Sequence, residues 1–89
     1  MNNEEDKLLT ERELDVLICI HKGLSNPQIA RKLCISISTV KAHISKILLK
    51  MRAKNRFEVL LMLVGERSIA NIDIKNQIIA LHNKQFSKI

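Results

Sequence analysis

An all-helical fold is predicted for this 89-residue chain by its composition, its helix-start signals and its apolar periodicity. Leu, Ile, Lys, Glu and Ala are plentiful, whereas glycine occurs twice and proline once, a balance that favours helices over strands and turns. Ser or Thr followed three residues later by Gln or Glu recurs ahead of apolar runs, the mark of a helix start. Behind those starts, apolar residues return at three- and four-residue spacing, as one face of a helix requires.

The elements follow in order. Thr10 with Glu13 forms a capping box, and Leu9 with Leu14 a hydrophobic staple, so the first helix is expected over about Glu11 to Lys22. Gly23 stops it, because glycine takes the left-handed conformation at little cost. Ser25 with Gln28 and Leu24 with Ile29 repeat the pattern, and Pro27 falls in a first turn where its missing N–H costs no helical bond. The second helix is therefore short, about Asn26 to Leu33. Ser36 caps a third, about 37–51, stapled by Ile35 and Val40, with Val40, Ile44, Ile47, Leu48 and Met51 on its core face. A fourth helix starts at Asn55, supported by Glu58, and is expected to reach Gly65 or Arg67. A weaker stripe, Ile74, Ile78 and Leu81, predicts a fifth helix of about Ile74 to Asn83 that packs on the first or fourth helix. Ile18, which lacks a local partner, is its expected contact. A frayed tail is the alternative near a terminus.

Size and charge narrow the function. One domain of this length buries roughly 60–65% of its unfolded surface and has no room for a separate catalytic or sensory unit. The longest apolar run, Val59 to Gly65, is too short to span a bilayer. The acidic start, Asn2-Asn3-Glu4-Glu5-Asp6, is unlike a secretory signal, so a cytoplasmic protein is expected. Cys19 and Cys34 read as small buried apolar residues in a reducing compartment. A zinc site from Cys19, His21, Cys34 and His43 lacks the paired ligand spacing that zinc sites use, so neither metal nor cofactor is expected. The net charge of +6 is unevenly placed: eight basic residues and no acidic one lie between Arg31 and Arg56. Such a run is either a solvated face or a surface for an anion.

The spacing favours the anion. Two helices joined by Cys34-Ile35-Ser36 form a helix-turn-helix, and the small Ala30 lets them approach closely. The third helix offers Ser38, Ala42 and Ser45, short enough for close approach to base edges in a major groove, with Lys41 and Lys46 able to reach a guanine or a phosphate. Arg31 and Lys50 are expected on phosphates, and amides near Ser25 and Asn26 can hold phosphate oxygens at a helix start. Several alternatives stay open. Thr39 caps its helix, touches DNA, or does both. Arg56 pairs with Glu13 or Glu58, or binds DNA. His43 has a structural or a phosphate role, and Leu49 touches a thymine methyl or ribose, or is a tolerated surface residue. The all-apolar stretch Val59 to Val64 exceeds what one core face needs. Either a second copy covers Val59, Leu61, Met62 and Val64, or the tail folds back over them.

Leu9-Thr10-Glu11-Arg12-Glu13, Gly23-Leu24-Ser25-Asn26, Ile29-Ala30, Leu33 and Ile35 to His43 together resemble the LuxR-type (FixJ/NarL-type) helix-turn-helix signature, continued by Lys50-Met51 and Asn55-Arg56. The resemblance covers about Leu8 to Ile69. It implies a bacterial four-helix DNA-binding domain that regulates transcription and dimerises through its fourth helix. It also implies that Thr39, Lys41, Ala42 and Ser45 fall at DNA-touching positions. The chain departs from the pattern at Arg52, where glycine is usual, at Ser45, where Asn or Lys is common, and at Pro27, where Lys is common.

The expected organisation is an acidic lead at 1–7, a LuxR-type domain at 8–69 with its helix-turn-helix at about 24–46, and an extension at 70–89. Double-stranded DNA of the bacterial nucleoid is the expected partner, with homodimerisation through the fourth helix, RNA polymerase as a further partner, and no membrane. The rival reading is an adaptor, similar to a sigma-factor module, that binds polymerase and touches DNA weakly. No base, nucleophile and carboxylate converge in the pattern, which speaks against an enzyme. Activator or repressor, operator sequence, and stand-alone regulator or effector fragment of a longer one are left open.

Overall fold

The computed structural model describes residues 8–86. It contains α1 (Glu11–His21), α2 (Asn26–Leu33), α3 (Ile37–Met51), α4 (Arg56–Leu63) and α5 (Ile72–Leu81), closed by a π-helical turn over His82–Phe86. No strand is present among the described residues. The expected lead at 1–7 lies outside them.

The helix starts are where the local signals place them. Thr10 Oγ1 accepts the Glu13 amide at 3.0 Å while Glu13 Oε1 accepts the Thr10 amide at 2.9 Å. Ser25 and Gln28 repeat this exchange ahead of α2. Ser36, Asn55 and Asn71 cap α3, α4 and α5 with side-chain oxygens on the first free amides. Each cap satisfies a backbone donor that the helix cannot.

The helix ends are more uniform than the sequence suggests. After each of α1 to α4 the chain closes with the same pair of bonds, one of them spanning six residues: Leu24 N to Cys19 O, Ile35 N to Ala30 O, Ala53 N to Leu48 O, and Glu66 N to Leu61 O. That closure needs a left-handed residue. Gly23 (φ 80°) and Gly65 (φ 85°) supply it after α1 and α4, but Cys34 (φ 59°) and Arg52 (φ 56°) supply it after α2 and α3. An L side chain there costs ~1–2 kcal/mol. After α1, α2 and α3 the next residue, Leu24, Ile35 or Ala53, packs on the core and offsets part of that cost. The Gly65 stop also makes α4 shorter than expected, ending at Leu63.

One core serves all five helices. Val16, Leu17 and Ile20 of α1 meet Ile29 of α2, Val40, Ile47 and Met51 of α3, Val59 and Leu63 of α4, and Ile74 and Ile78 of α5. The fifth helix is thus part of the body, not a frayed tail. Its stripe is as read, but it starts two residues earlier than expected, because Asn71 Oδ1 accepts the Asp73 and Ile74 amides. Its polar anchors lie on both α1 and α4. Gln77 holds both backbone groups of Leu9, just ahead of α1, and His82 donates from Nε2 to Leu63 O at 2.9 Å. The His82 ring also meets that of His21 edge-on, with centroids 6.3 Å apart. Ile18, the expected contact for this helix, stays half-buried.

Three expectations are corrected here. Val59 and Met62 belong to the chain's own core, at 0% and 7% exposure, so they cannot form an outer seam. The fold needs them because α4 is short and packs between the rest of the core and α5. Cys34 is exposed, because it occupies the turn rather than a helix face; only Cys19 is buried. Burial pushes the Cys19 thiol above its ordinary pKa, an effect larger than the opposing pull of Lys32 and Lys22.

Candidate nucleic-acid interface

At about 100° per residue, α3 divides into two faces. Val40, Ile47 and Met51 point into the core and are buried, with Ile44 and Leu48 packed beside them. Ser38, Ala42, Ser45 and Leu49 fall within about 60° of one another on the opposite side, and all are exposed. Lys41 and Lys46 flank that strip on either edge, also exposed. The strip is narrow, small-sided near its start and bordered by ammonium groups. A helix presented in this way can approach a grooved polyanion closely and hold it from both sides.

The preceding elements fix how α3 is offered. Cys34 reverses the chain in a single left-handed step, and Ala30, 7% exposed, lies in the buried cluster beneath α3. At the start of α3, Ser36 Oγ accepts the Thr39 amide at 3.0 Å and donates to Thr39 Oγ1 at 2.9 Å. Ser38 Oγ lies 3.2 Å from Ser36 Oγ. Thr39 therefore does take part in capping, and its own hydroxyl hydrogen remains free to donate outward. On α2, Arg31 is exposed, and the exposed Ser25 is occupied as the N-cap.

Three residues have fates that the sequence did not disclose. Lys50 does not reach out as expected: its Nζ lies 2.8 Å from Glu13 Oε1 and 3.0 Å from Leu8 O. The two side chains are 11% and 3% exposed. Its ammonium is thus spent tying α3 to the start of α1. Arg56 pairs with neither Glu13 nor Glu58. Its guanidinium instead donates to Asn26 Oδ1 and to Leu24 O. Asn26, expected at the DNA, is thereby half-buried and holds α4 against the start of α2. The lysine and arginine heads turn inward because buried acceptors, a carboxylate and a carbonyl, need donors there. No buried side-chain nitrogen or oxygen among the described residues is left without a partner.

Two cations beyond the expected set, Arg52 and Lys54, lie exposed where α3 hands over to α4. The acid-free run from Arg31 to Arg56 contains them, but only the turn shows which way they stand. No group of three His, Cys, Asp or Glu side chains among the described residues gathers as a metal would require. No described helix is long and apolar enough to cross a membrane.

Two helices across a tight left-handed turn, the second offering an exposed strip between lysines, define a helix-turn-helix module. Comparison with known proteins gives its family: residues 7–63 match the model of the bacterial regulatory proteins of the luxR family, and the chain belongs to that family. It is accordingly a DNA-binding regulatory module and not an enzyme. It is 47% identical over 66 residues to the nitrate/nitrite response regulator protein NarP of Escherichia coli (strain K12), a stretch covering 72% of this chain and 31% of NarP. It is 44% identical over 55 residues to the response regulator protein VraR of Staphylococcus aureus (strain Mu3), covering 62% of this chain and 26% of VraR. The chain thus spans less than a third of the length of these curated relatives. No solved structure gives a significant match. The family model ends at residue 63, so α5 lies wholly beyond it.

Proposed function

We propose that this chain regulates transcription by binding a specific DNA duplex, with α3 lying in the major groove. The observation that carries this reading is the outer strip of α3, where Ser38, Ala42 and Ser45 stand exposed between Lys41 and Lys46. Small side chains let the helix sit deep, and the flanking lysines meet phosphates or a guanine edge. Thr39 and Arg31 add contacts to the backbone, and so does the Asn26 amide at the start of α2, since the capping box takes up the Ser25 and Gln28 amides and Pro27 has none. Asn26 supports this surface from behind, and Lys50 has left it. The test is titration of a duplex selected from a random library, at several salt concentrations. Log affinity should fall with log salt by about 0.9 per phosphate neutralised. A flat response would leave only the adaptor reading.

Two copies are proposed to bind together, related by a two-fold axis that matches two half-sites. The α4 seam excludes Val59 and Met62 and runs instead along Phe57, Leu61 and Val64, with Phe57 65% and Val64 54% exposed. These positions recur at four- and three-residue spacing, so they share one face. Phe57 itself helps to line a largely apolar groove of about 500 Å³ with Ile20, Leu24 and Leu60, which continues this surface.

A further inference from the structure

Arg52 and Lys54 frame a shallow hollow of about 390 Å³ at the end of α3, floored by Leu48, Leu49 and Ala53 and bounded by Ser45. Three features of this hollow point the same way. Leu49 is 79% exposed, the most exposed large apolar side chain among the described residues, and none of those residues covers it. Arg52 forms no ion pair or hydrogen bond through its guanidinium with any described residue, although it holds a left-handed backbone (φ 56°, ψ 43°) that glycine would adopt without strain. Ser45 joins the hollow to the outer strip of α3, so the two surfaces are continuous.

We propose that this hollow is a second DNA site, a sugar–phosphate cradle that extends the footprint of α3 beyond its base-reading strip. Arg52 and Lys54 hold one backbone phosphate, and the adjoining deoxyribose packs on Leu49. An apolar floor between two unpaired cations suits this ligand chemistry, because a nucleic-acid strand alternates an apolar sugar face with an anion. Glu58 does not oppose it: one carboxylate oxygen accepts the Lys54 amide and the other pairs with Arg67. The inference rests on the DNA-binding reading above. It adds a site that reads no sequence, since contacts to phosphate and sugar position a protein without specifying bases.

That property makes the site testable without knowing the operator, using a mixed-sequence duplex at low salt and the full chain. Arg52→Gly removes the guanidinium and the strain together. It should raise the Kd several-fold and reduce the slope of log affinity against log salt by about 0.9 per subunit, while the melting temperature stays the same or rises. Lys54→Ala should lower the slope in the same way. Leu49→Ala should weaken binding at an unchanged slope. Lys75→Ala, which removes one charge on α5 outside the helix-turn-helix, should leave the slope as it was. If the wild-type chain binds with a steep slope and Arg52→Gly binds equally well, the cradle is overturned and the groove reading stands. An equal loss from Lys75→Ala would also overturn it, by reducing the effect to net charge. If the wild-type chain shows no salt-dependent binding at all, both readings fall.

Discussion

Gln77 holds Leu9 as a neighbouring strand would: its Oε1 accepts the Leu9 amide and its Nε2 donates to the Leu9 carbonyl, both at 2.9 Å. One side chain of α5 thereby satisfies both backbone groups of a buried residue 68 positions away. Leu9 precedes the cap of α1 and cannot use helical bonds, so without Gln77 its polar groups would lie unpaired against the core. Gln77→Ala should therefore destabilise the fold by about 1–3 kcal/mol. Truncation after Asn71 should cost more, because Ile74 and Ile78 leave the core as well. In a domain of this size each kcal/mol lowers the melting temperature by roughly 4–8 °C. A melting curve unchanged by the truncation would mean that α5 is not part of the cooperative unit.

The Lys50–Glu13 pair predicts a loss of stability rather than of DNA affinity. Lys50→Ala leaves a carboxylate buried with only the Thr10 amide for a partner. Breaking a buried pair from one side costs about 3–5 kcal/mol. Thermal denaturation of Lys50→Ala should show that loss. Folded protein at low temperature should still bind a duplex with the wild-type salt slope. A reduced slope with normal stability would return Lys50 to the phosphate-binding set.

The exposed cations of α2 and α3 should separate by what they touch. Arg31→Ala is expected to weaken all duplexes alike, with a shallower salt slope, as a phosphate contact should. Lys41→Ala should also blur the preference at one base step, at a cost of about 1–3 kcal/mol against the preferred sequence. Selection from a random duplex library with each variant distinguishes the two. Identical base preferences for wild type and Lys41→Ala would place Lys41 on phosphate alone.

For the dimer, Phe57→Glu should impair self-association, or co-operative occupation of two half-sites, while leaving the helical circular dichroism unchanged, because Phe57 is mostly exposed in the single chain. Met62→Glu should unfold the protein instead, since it puts a charge into the core. Sedimentation of both variants with and without a two-site duplex checks this. Wild-type association by Phe57→Glu would rule out the proposed seam.

Sequence alone settled whatever is encoded within a few residues. The capping boxes at Thr10 and Ser25, the cap at Ser36 and the stripe Val40–Ile47–Met51 set the starts of α1, α2 and α3 and the inner face of the recognition helix. A cap and its amide lie three residues apart, so their pairing does not wait on the rest of the fold. The end of α1 was legible for the same reason, through Gly23. The left-handed closures at Cys34 and Arg52 carried no such residue; their positions followed only from the caps after them. Tertiary structure decided everything that spans distance. It decided that Lys50 serves Glu13, 37 residues away, and that Arg56 serves Asn26, 30 residues away. It placed Val59 and Met62 in the core and left Phe57 and Val64 outside, because an all-apolar helix has no inner face until its neighbours choose one. Gln77, polar and in a segment with a weak apolar stripe, gave no local sign of its role. Its partner is a backbone peptide, and a peptide's need for hydrogen bonds depends on what the folded chain has closed around it, not on which residue it belongs to.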